Sequence, residues 1–172
     1  KTGGSLSLTA KGIYRQPYLP LIQQVQHVEY GNAAAIRTAI ENLREVGESI
    51  AAVVLEPIQG EAGVIIPPEG YLKEVRAICD ELNVLLIIDE IQTGMGRTGT
   101  LWRCDVMPIT GLIFRPEMWS EELVENPYLL GSTTFGGNPV CCAAAIAALD
   151  FQLKNDVPGQ AREKGAKIKA GL

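Results

Sequence analysis

Two strand-like runs in this sequence end in acids. Ala51-Ala52-Val53-Val54-Leu55 is followed by Glu56, and Val84-Leu85-Leu86-Ile87-Ile88 by Asp89. A carboxylate at such a position can hold a heteroaromatic nitrogen protonated, because its charge favours the charged form of the neighbour. A protonated pyridine ring is an electron sink that stabilises a carbanion. Gln92, three residues past Asp89, offers an amide to a ring oxygen, and Ile91 between them can pack on a ring face. The segment runs on through Gly94-Met95-Gly96-Arg97-Thr98-Gly99, a literal G-x-G-x-x-G. That pattern serves a dinucleotide when the first glycine follows the strand at once and the last lies in a helix. Here Asp89 to Thr93 intervene, and Thr100-Leu101-Trp102-Arg103 is poor helix-opening material. The glycines are read as shaping a loop around the acid, not as a nicotinamide or flavin fingerprint.

The elements that must position these residues are visible on either side. Asn32 can cap a helix running to about Val46, with Ile36, Ile40 and Leu43 on one face and Gly47 as its end. The continuous apolar runs before Glu56 and Asp89 suit strands buried on both faces. Between them, residues 57–68 read as a loop, and Gly70 to Leu82 as a helix with Leu72, Val75, Ile78 and Leu82 inward. Strand, helix, strand implies a parallel pair, and open α/β sheets bind ligands beyond the carboxyl ends of their strands. Further on, Asn138 and Pro139 open a helix over 140–153 whose apolar first half should be buried. Ser132-Thr133-Thr134 puts hydroxyls just ahead of that helix terminus, a fair anion site. Another amphipathic helix is expected from Val157 to Leu172.

Composition narrows the class. The 172 residues carry a net charge of −5 with no basic stripe, which argues against nucleic acid. No apolar run reaches membrane-spanning length, and no secretory leader opens the chain, so a cytoplasmic protein is expected. The four cysteines, Cys79, Cys104, Cys141 and Cys142, form no C-x-x-C, and His27 is the single histidine, so no metal site is expected. The cysteines read as reduced core residues. His27, in the strand-like alternation 25–29, reads as a surface or structural histidine.

Four segments in order carry a family resemblance: EPIQGEAG (56–63), PEGY (68–71), DEIQTGMGRTG (89–99) and TFGGNP (134–139). With them the chain resembles the class III aminotransferases, the pyridoxal-phosphate enzymes that include ornithine, acetylornithine, 4-aminobutyrate and putrescine aminotransferases. The flanks YRQP (14–17), HVEYGN (27–32) and MPITG (107–111) look closest to the putrescine enzymes. The resemblance implies an α/β fold, the central part of the large domain of a fold type I transferase, mostly parallel sheet with helices on both faces. Asp89 would pair with the pyridinium nitrogen of pyridoxal 5'-phosphate, Gln92 would bond the ring oxygen, and Ile91 would pack on the ring. Thr134 would reach the cofactor phosphate of the neighbouring subunit, implying a homodimer or higher oligomer. Glu61 would act as a gate, pairing with a substrate-binding arginine in one half-reaction and releasing it to a 2-oxo acid in the other. Glu56 looks like a supporting acid. The implied reaction moves the terminal amine of a diamine such as putrescine to 2-oxoglutarate; ornithine, acetylornithine or 4-aminobutyrate are the alternative donors.

The chain departs from the family where Arg103-Cys104-Asp105-Val106 meets Met107-Pro108-Ile109-Thr110. The lysine that carries the cofactor in this family belongs there, and about twenty residues, a strand and the lysine loop, are expected to be absent near 104–110. The N-terminal part, with the phosphate loop, and the C-terminal domain, with the arginine, are expected to lie outside the chain, making residues 1–172 a fragment of the cofactor-binding domain. A catalytically dead remnant without the lysine is the rival reading.

Overall fold

Short polar residues start several of the described helices. In the computed structural model, which describes residues 2–100, 115–126, 137 and 139–172, Thr2 accepts from the Ser5 N–H at the head of α1 (Gly3–Leu8). A second short helix, α2 (Gly12–Arg15), runs into a 3-10 turn over Gln16–Tyr18. Asn32 heads α3 (Ala33–Glu45), accepting from the Ala35 N–H at 3.0 Å, as its place before the alanine run predicts. Gly47, at φ +86°, ends the helix in a Schellman motif: it donates to the Arg44 carbonyl at 2.9 Å, and Glu48 donates to that of Leu43 at 2.9 Å. Then come β1 (Ala52–Leu55), α4 (Tyr71–Glu81) and β2 (Leu85–Ile88). The helix α4 stops in the same manner as α3, with Asn83 in the left-handed conformation and Val84 donating to the Cys79 carbonyl at 2.9 Å. The two strands pair in parallel, Ala52 opposite Leu85 and Leu55 opposite Ile88, as the strand–helix–strand order implies.

One core holds α3, α4 and the two strands together. Ile36 and Ile40 of α3 meet Tyr71, Val75, Ile78 and Cys79 of α4, and Val53, Leu55 and Leu86 pack on that cluster from the sheet. Arg37 and Glu81 join the two helices by a two-pronged ion pair, and its hydrogen bonds hold the Glu81 carboxyl below the ordinary carboxylate range. The other face of the sheet carries Val54, Leu85 and Ile87, each 40% to 43% exposed. This corrects the expectation of strands buried on both faces. An unbroken apolar run makes both faces fit for covering, and the α3–α4 layer covers one. The alternation around His27 forms no ladder either; the ring Nε2 instead lies 3.2 Å from the Leu8 carbonyl oxygen, in keeping with a structural role.

The chain divides into two compact units, Lys1–Asp89 and Glu90–Leu172. The second opens with a run of turns over 91–98 and contains a 3-10 turn at Pro116–Met118, α5 (Glu121–Glu125), α6 (Pro139–Lys154) and α7 (Val157–Ala170). Helix α6 begins at Pro139 as expected, while its expected cap Asn138 lies outside the described residues. Its first half is not buried: Val140 is 77% exposed and Ile146 62%. A helix apolar nearly all round needs cover on several sides, and α7 gives it one neighbour. Helix α7 forms where predicted, with Asp156 accepting from the Gly159 N–H at 3.1 Å, but no residue in it is buried. Cys79 is a buried free thiol, as read; Cys142 is exposed, which corrects the core reading there. Cys104 and the side chain of Cys141 lie outside the described residues. Among the described residues no group of three His, Cys, Asp or Glu could hold a metal ion, and no helix is long and apolar enough to cross a membrane.

The glycine run is a packing device within the second unit. Gly99 has φ +88°, and a Cβ there would stand 2.9 Å from Cβ of Arg162 on α7. Gly99→Ala must therefore strain the backbone and push α7 away, and we expect it to cost about 1–3 kcal/mol of stability. Gly47→Ala, at a similar φ but with nothing within 4 Å of the added carbon, isolates the backbone part and should cost about 1 kcal/mol. Urea unfolding of the two variants checks the difference; equal midpoints would mean the contact with α7 carries no weight.

Candidate active site

The strand register fixes where the two acids emerge. Leu55 and Ile88 are the last paired residues, so Glu56 and Asp89 leave the same edge of the sheet. The Asp89 N–H donates to the Leu55 carbonyl at 2.9 Å and extends the ladder by one bond. Neighbouring strands lie about 4.8 Å apart, which brings the two acids side by side at the carboxyl edge, where sheets of this kind bind ligands. Their roles then part. Glu56 turns back, its Oε2 accepting from the Gly60 N–H at 3.0 Å, so it shapes the loop that follows β1. The Tyr30 hydroxyl, shared between the carbonyls of Glu56 and Pro57 at 3.0 Å each, ties the start of that loop to the segment before α3. Asp89 is exposed at the strand end.

Glu61 stands at the tip of the β1–α4 loop. Gln59 and Ile65 pair across the loop by two backbone bonds of 3.0 and 2.9 Å, and Gly63 and Val64 both donate to the Gly60 carbonyl. The tip is thus a closed turn rather than a free strand of chain. Lys11 donates to Glu61 Oε1 at 2.6 Å and to its backbone carbonyl at 3.3 Å, and the Tyr14 hydroxyl donates to the same Oε1 at 3.3 Å. The hydrogen bond to Glu61 raises the Lys11 ammonium above its ordinary pKa. Sequence reasoning did not find Lys11 or Tyr14; they lie 50 and 47 residues from Glu61, and no spacing rule links them.

Ile91 and Gln92 lie in the turn that opens the second unit, and both are exposed. Glu90 just before them is buried and accepts a short hydrogen bond from the buried Thr93 hydroxyl. The Gly94 N–H donates to the Glu90 carbonyl at 2.9 Å. Arg97 closes the turn by donating to the carbonyls of Ile91 and Gly94, each at 3.2 Å. Glu90, Thr93 and Arg97 therefore fix the backbone that carries Ile91 and Gln92; the sequence reading missed all three, although a threonine three residues past a glutamate is a recognisable side-chain pair. Thr134 and the junction near 104–110 lie outside the described residues.

By residue type, the groups on either side of the unit boundary fit a pyridine ring bearing a phenolic oxygen: the first unit ends in an exposed carboxylate, and the second opens with an isoleucine and an amide on a turn held by its own hydrogen bonds.

A parallel strand–helix–strand unit occurs in many α/β folds; the fold here is that of the large domain of fold type I pyridoxal-phosphate transferases, and solved members superpose on the chain. Ornithine aminotransferase from Toxoplasma gondii, whose structure shows partial occupancy of PLP at the active site, matches 97% of this chain and 41% of its own at 29% identity and TM-score 0.80. An amine transaminase from an uncultivated Pseudomonas species, solved in its PLP-bound form, matches 96% of this chain and 46% of its own at 28% identity and TM-score 0.80. Acetylornithine aminotransferase from Elizabethkingia anophelis matches 83% and 38% at 32% identity and TM-score 0.63. The chain thus spans less than half the length of each of these enzymes. The chain belongs to the class III aminotransferase family, whose model matches residues 1–172.

Proposed function

We propose that these residues are the central part of the large domain of a pyridoxal-phosphate ω-aminotransferase that moves a terminal amine from a diamine such as putrescine to 2-oxoglutarate. The observation that carries the reading is Asp89 at the carboxyl edge of a parallel pair, followed by Gln92 on a fixed turn. Pyridoxal phosphate, when bound, supplies the electron sink that lets an amine carbon lose a proton. The Asp89 carboxylate would hold the proton on the ring nitrogen, Gln92 would hydrogen-bond the ring oxygen, and Ile91 would pack on the ring. Glu61 serves as a removable counter-charge: it neutralises a substrate-binding arginine while the donor is an amine without a nearby carboxylate, and frees that arginine for the dicarboxylate acceptor. Thr134 would reach the cofactor phosphate of a second subunit, which makes a dimer the expected working unit. The lysine would come from the segment expected near 104–110, and the phosphate loop and the arginine from parts of the enzyme that are not among these 172 residues.

The likeness to ornithine and acetylornithine aminotransferases supports a second reading, in which the donor is an ω-amino acid rather than a diamine. A donor panel of putrescine, cadaverine, ornithine, acetylornithine and 4-aminobutyrate, run on the complete enzyme with 2-oxoglutarate, decides between them. The diamine reading expects putrescine to show the highest kcat/KM; a higher value for ornithine or acetylornithine overturns it. Borohydride reduction of the cofactor-loaded protein covers the remaining rival. A pyridoxyl-lysine adduct is expected, and its absence together with no turnover would mark a catalytically dead remnant.

A further inference from the structure

Three separate contacts converge on the Glu61 tip, and the corner from which they come is itself held in place. Ser7, buried in α1, donates to the Gly3 carbonyl at 2.7 Å and accepts from the Ile22 N–H at 3.1 Å. His27 Nε2 lies 3.2 Å from the Leu8 carbonyl oxygen. These bonds tie α1, which ends just ahead of Lys11, to the segment 22–27 that follows α2 in the chain. Lys11 stands just before the first residue of α2, in extended backbone, and Tyr14 follows three residues later within the helix. Both reach Glu61 Oε1, and Lys11 also grips the backbone carbonyl of the same residue. On the other side, the Gln59–Ile65 pairing and the Gly60 turn restrict where the tip can go. A partly exposed ion pair between freely moving side chains is worth little. Here both partners are presented by backbone that is already bonded in place, so the ordering cost of the pair is limited to side-chain freedom.

A counter-charge that must leave an arginine needs somewhere to go. We propose that Lys11 and Tyr14 are positioning residues that form the seat for Glu61, and that by holding its carboxylate there they set the enzyme's preference for a dicarboxylate acceptor. This rests on the gating role proposed for Glu61. In the seat the Glu61 charge is matched by the Lys11 ammonium, and the arginine is left to the acceptor. Without the seat, the carboxylate favours the arginine, and the acceptor must compete with it. A ligand's apparent affinity falls in proportion to the fraction of protein in the competent state, so loss of the seat acts on acceptor affinity and spares the amine donor.

The test is steady-state kinetics on the complete, cofactor-loaded enzyme, with KM for the 2-oxo acid and for the amine donor measured separately. Lys11→Met is expected to raise the acceptor KM by about three- to fivefold, the range of an ion pair of this exposure, with the change confined to that constant. Lys11→Arg should restore it, and Tyr14→Phe should give a smaller rise in the same constant. In a Glu61→Gln background, Lys11→Met should have no further effect, because the charge it seats is gone. An unchanged acceptor KM in Lys11→Met, or equal changes in both KM values, overturns the seat. Full additivity of Lys11→Met with Glu61→Gln overturns it too. If Glu61→Gln itself changes neither KM, the gating role fails and the seat with it, an outcome distinct from a silent Lys11→Met beside an active Glu61→Gln.

Discussion

Asp89→Asn is expected to lower kcat of the complete enzyme by about three orders of magnitude and to leave its melting temperature almost unchanged. The fold should feel the change little. Asp89 is exposed at the strand end, asparagine matches it in size and shape, and it keeps the backbone bond from residue 89 to the Leu55 carbonyl. The chemistry should feel it fully. A carboxylate stabilises the protonated form of a ring nitrogen by Coulombic attraction, and a neutral amide of the same shape does not. If the ring nitrogen loses roughly three pKa units of support, the energy involved is about 4 kcal/mol, or a thousandfold in rate when that charge matters most in the transition state. Asp89→Glu keeps the charge but lengthens the arm, so it should retain more activity than the asparagine variant. Cofactor absorbance recorded beside kcat distinguishes a mistuned ring from an empty protein. Turnover within a few-fold of wild type in Asp89→Asn would refute the role given to this carboxylate.

The positions of both acids could be read from the chain because they follow from local rules. A continuous apolar run ends, an acid follows, and a parallel pair places two such ends at one edge. The division of labour between them could not be read that way. Glu56 and Asp89 look alike in sequence, and only the fold shows the first bonded back to Gly60. Position after the strand singles out Asp89, but it says nothing of what the neighbouring Glu90 does. The chain leaves its strand at Ile88, and beyond that point period-two alternation no longer says which acid faces inward; the fold buries Glu90 against Thr93 and exposes Asp89. The contacts of Glu61 with Lys11 and Tyr14 were hidden for a different reason. They join segments some fifty residues apart, and tertiary proximity of that range leaves no mark on spacing.

Helices show the converse. Asn32, Gly47 and Asn83 mark helix ends by chemistry that acts within a turn, and the observed ends of α3 and α4 fall where those residues stand. Burial is not local in this sense. The apolar start of α6 and the outer face of β1 and β2 were both expected to be covered, yet Val140, Ile146, Val54 and Ile87 are all exposed. An apolar pattern records that a surface is fit to be covered, and the covering element must be supplied by another part of the structure.

The surface between α3, α4 and the sheet is where cover is complete, so the largest loss of stability should come from there. Val75→Asp is expected to unfold the first unit outright. Val75 has no exposed surface and sits at the centre of the cluster with Ile36, Ile40, Ile78 and Cys79. Its removal alone, as Val75→Ala, should cost roughly 2–3 kcal/mol through lost burial and the cavity left behind. Aspartate adds a carboxyl to a site whose surrounding side chains are apolar. The group must then be buried charged or be protonated at a cost, and either adds several kcal/mol. Since a domain is stable by only about 5–15 kcal/mol, the sum reaches the whole margin. The same reasoning predicts almost no effect at Lys73, two positions away on the exposed side of α4, where Lys73→Gln should shift stability by less than about 0.5 kcal/mol. Far-ultraviolet circular dichroism against temperature tests all three variants together. Cooperative melting of Val75→Asp within a few degrees of wild type would mean that the α3–α4 cluster is not the core on which Glu56, Glu61 and Asp89 depend for their positions.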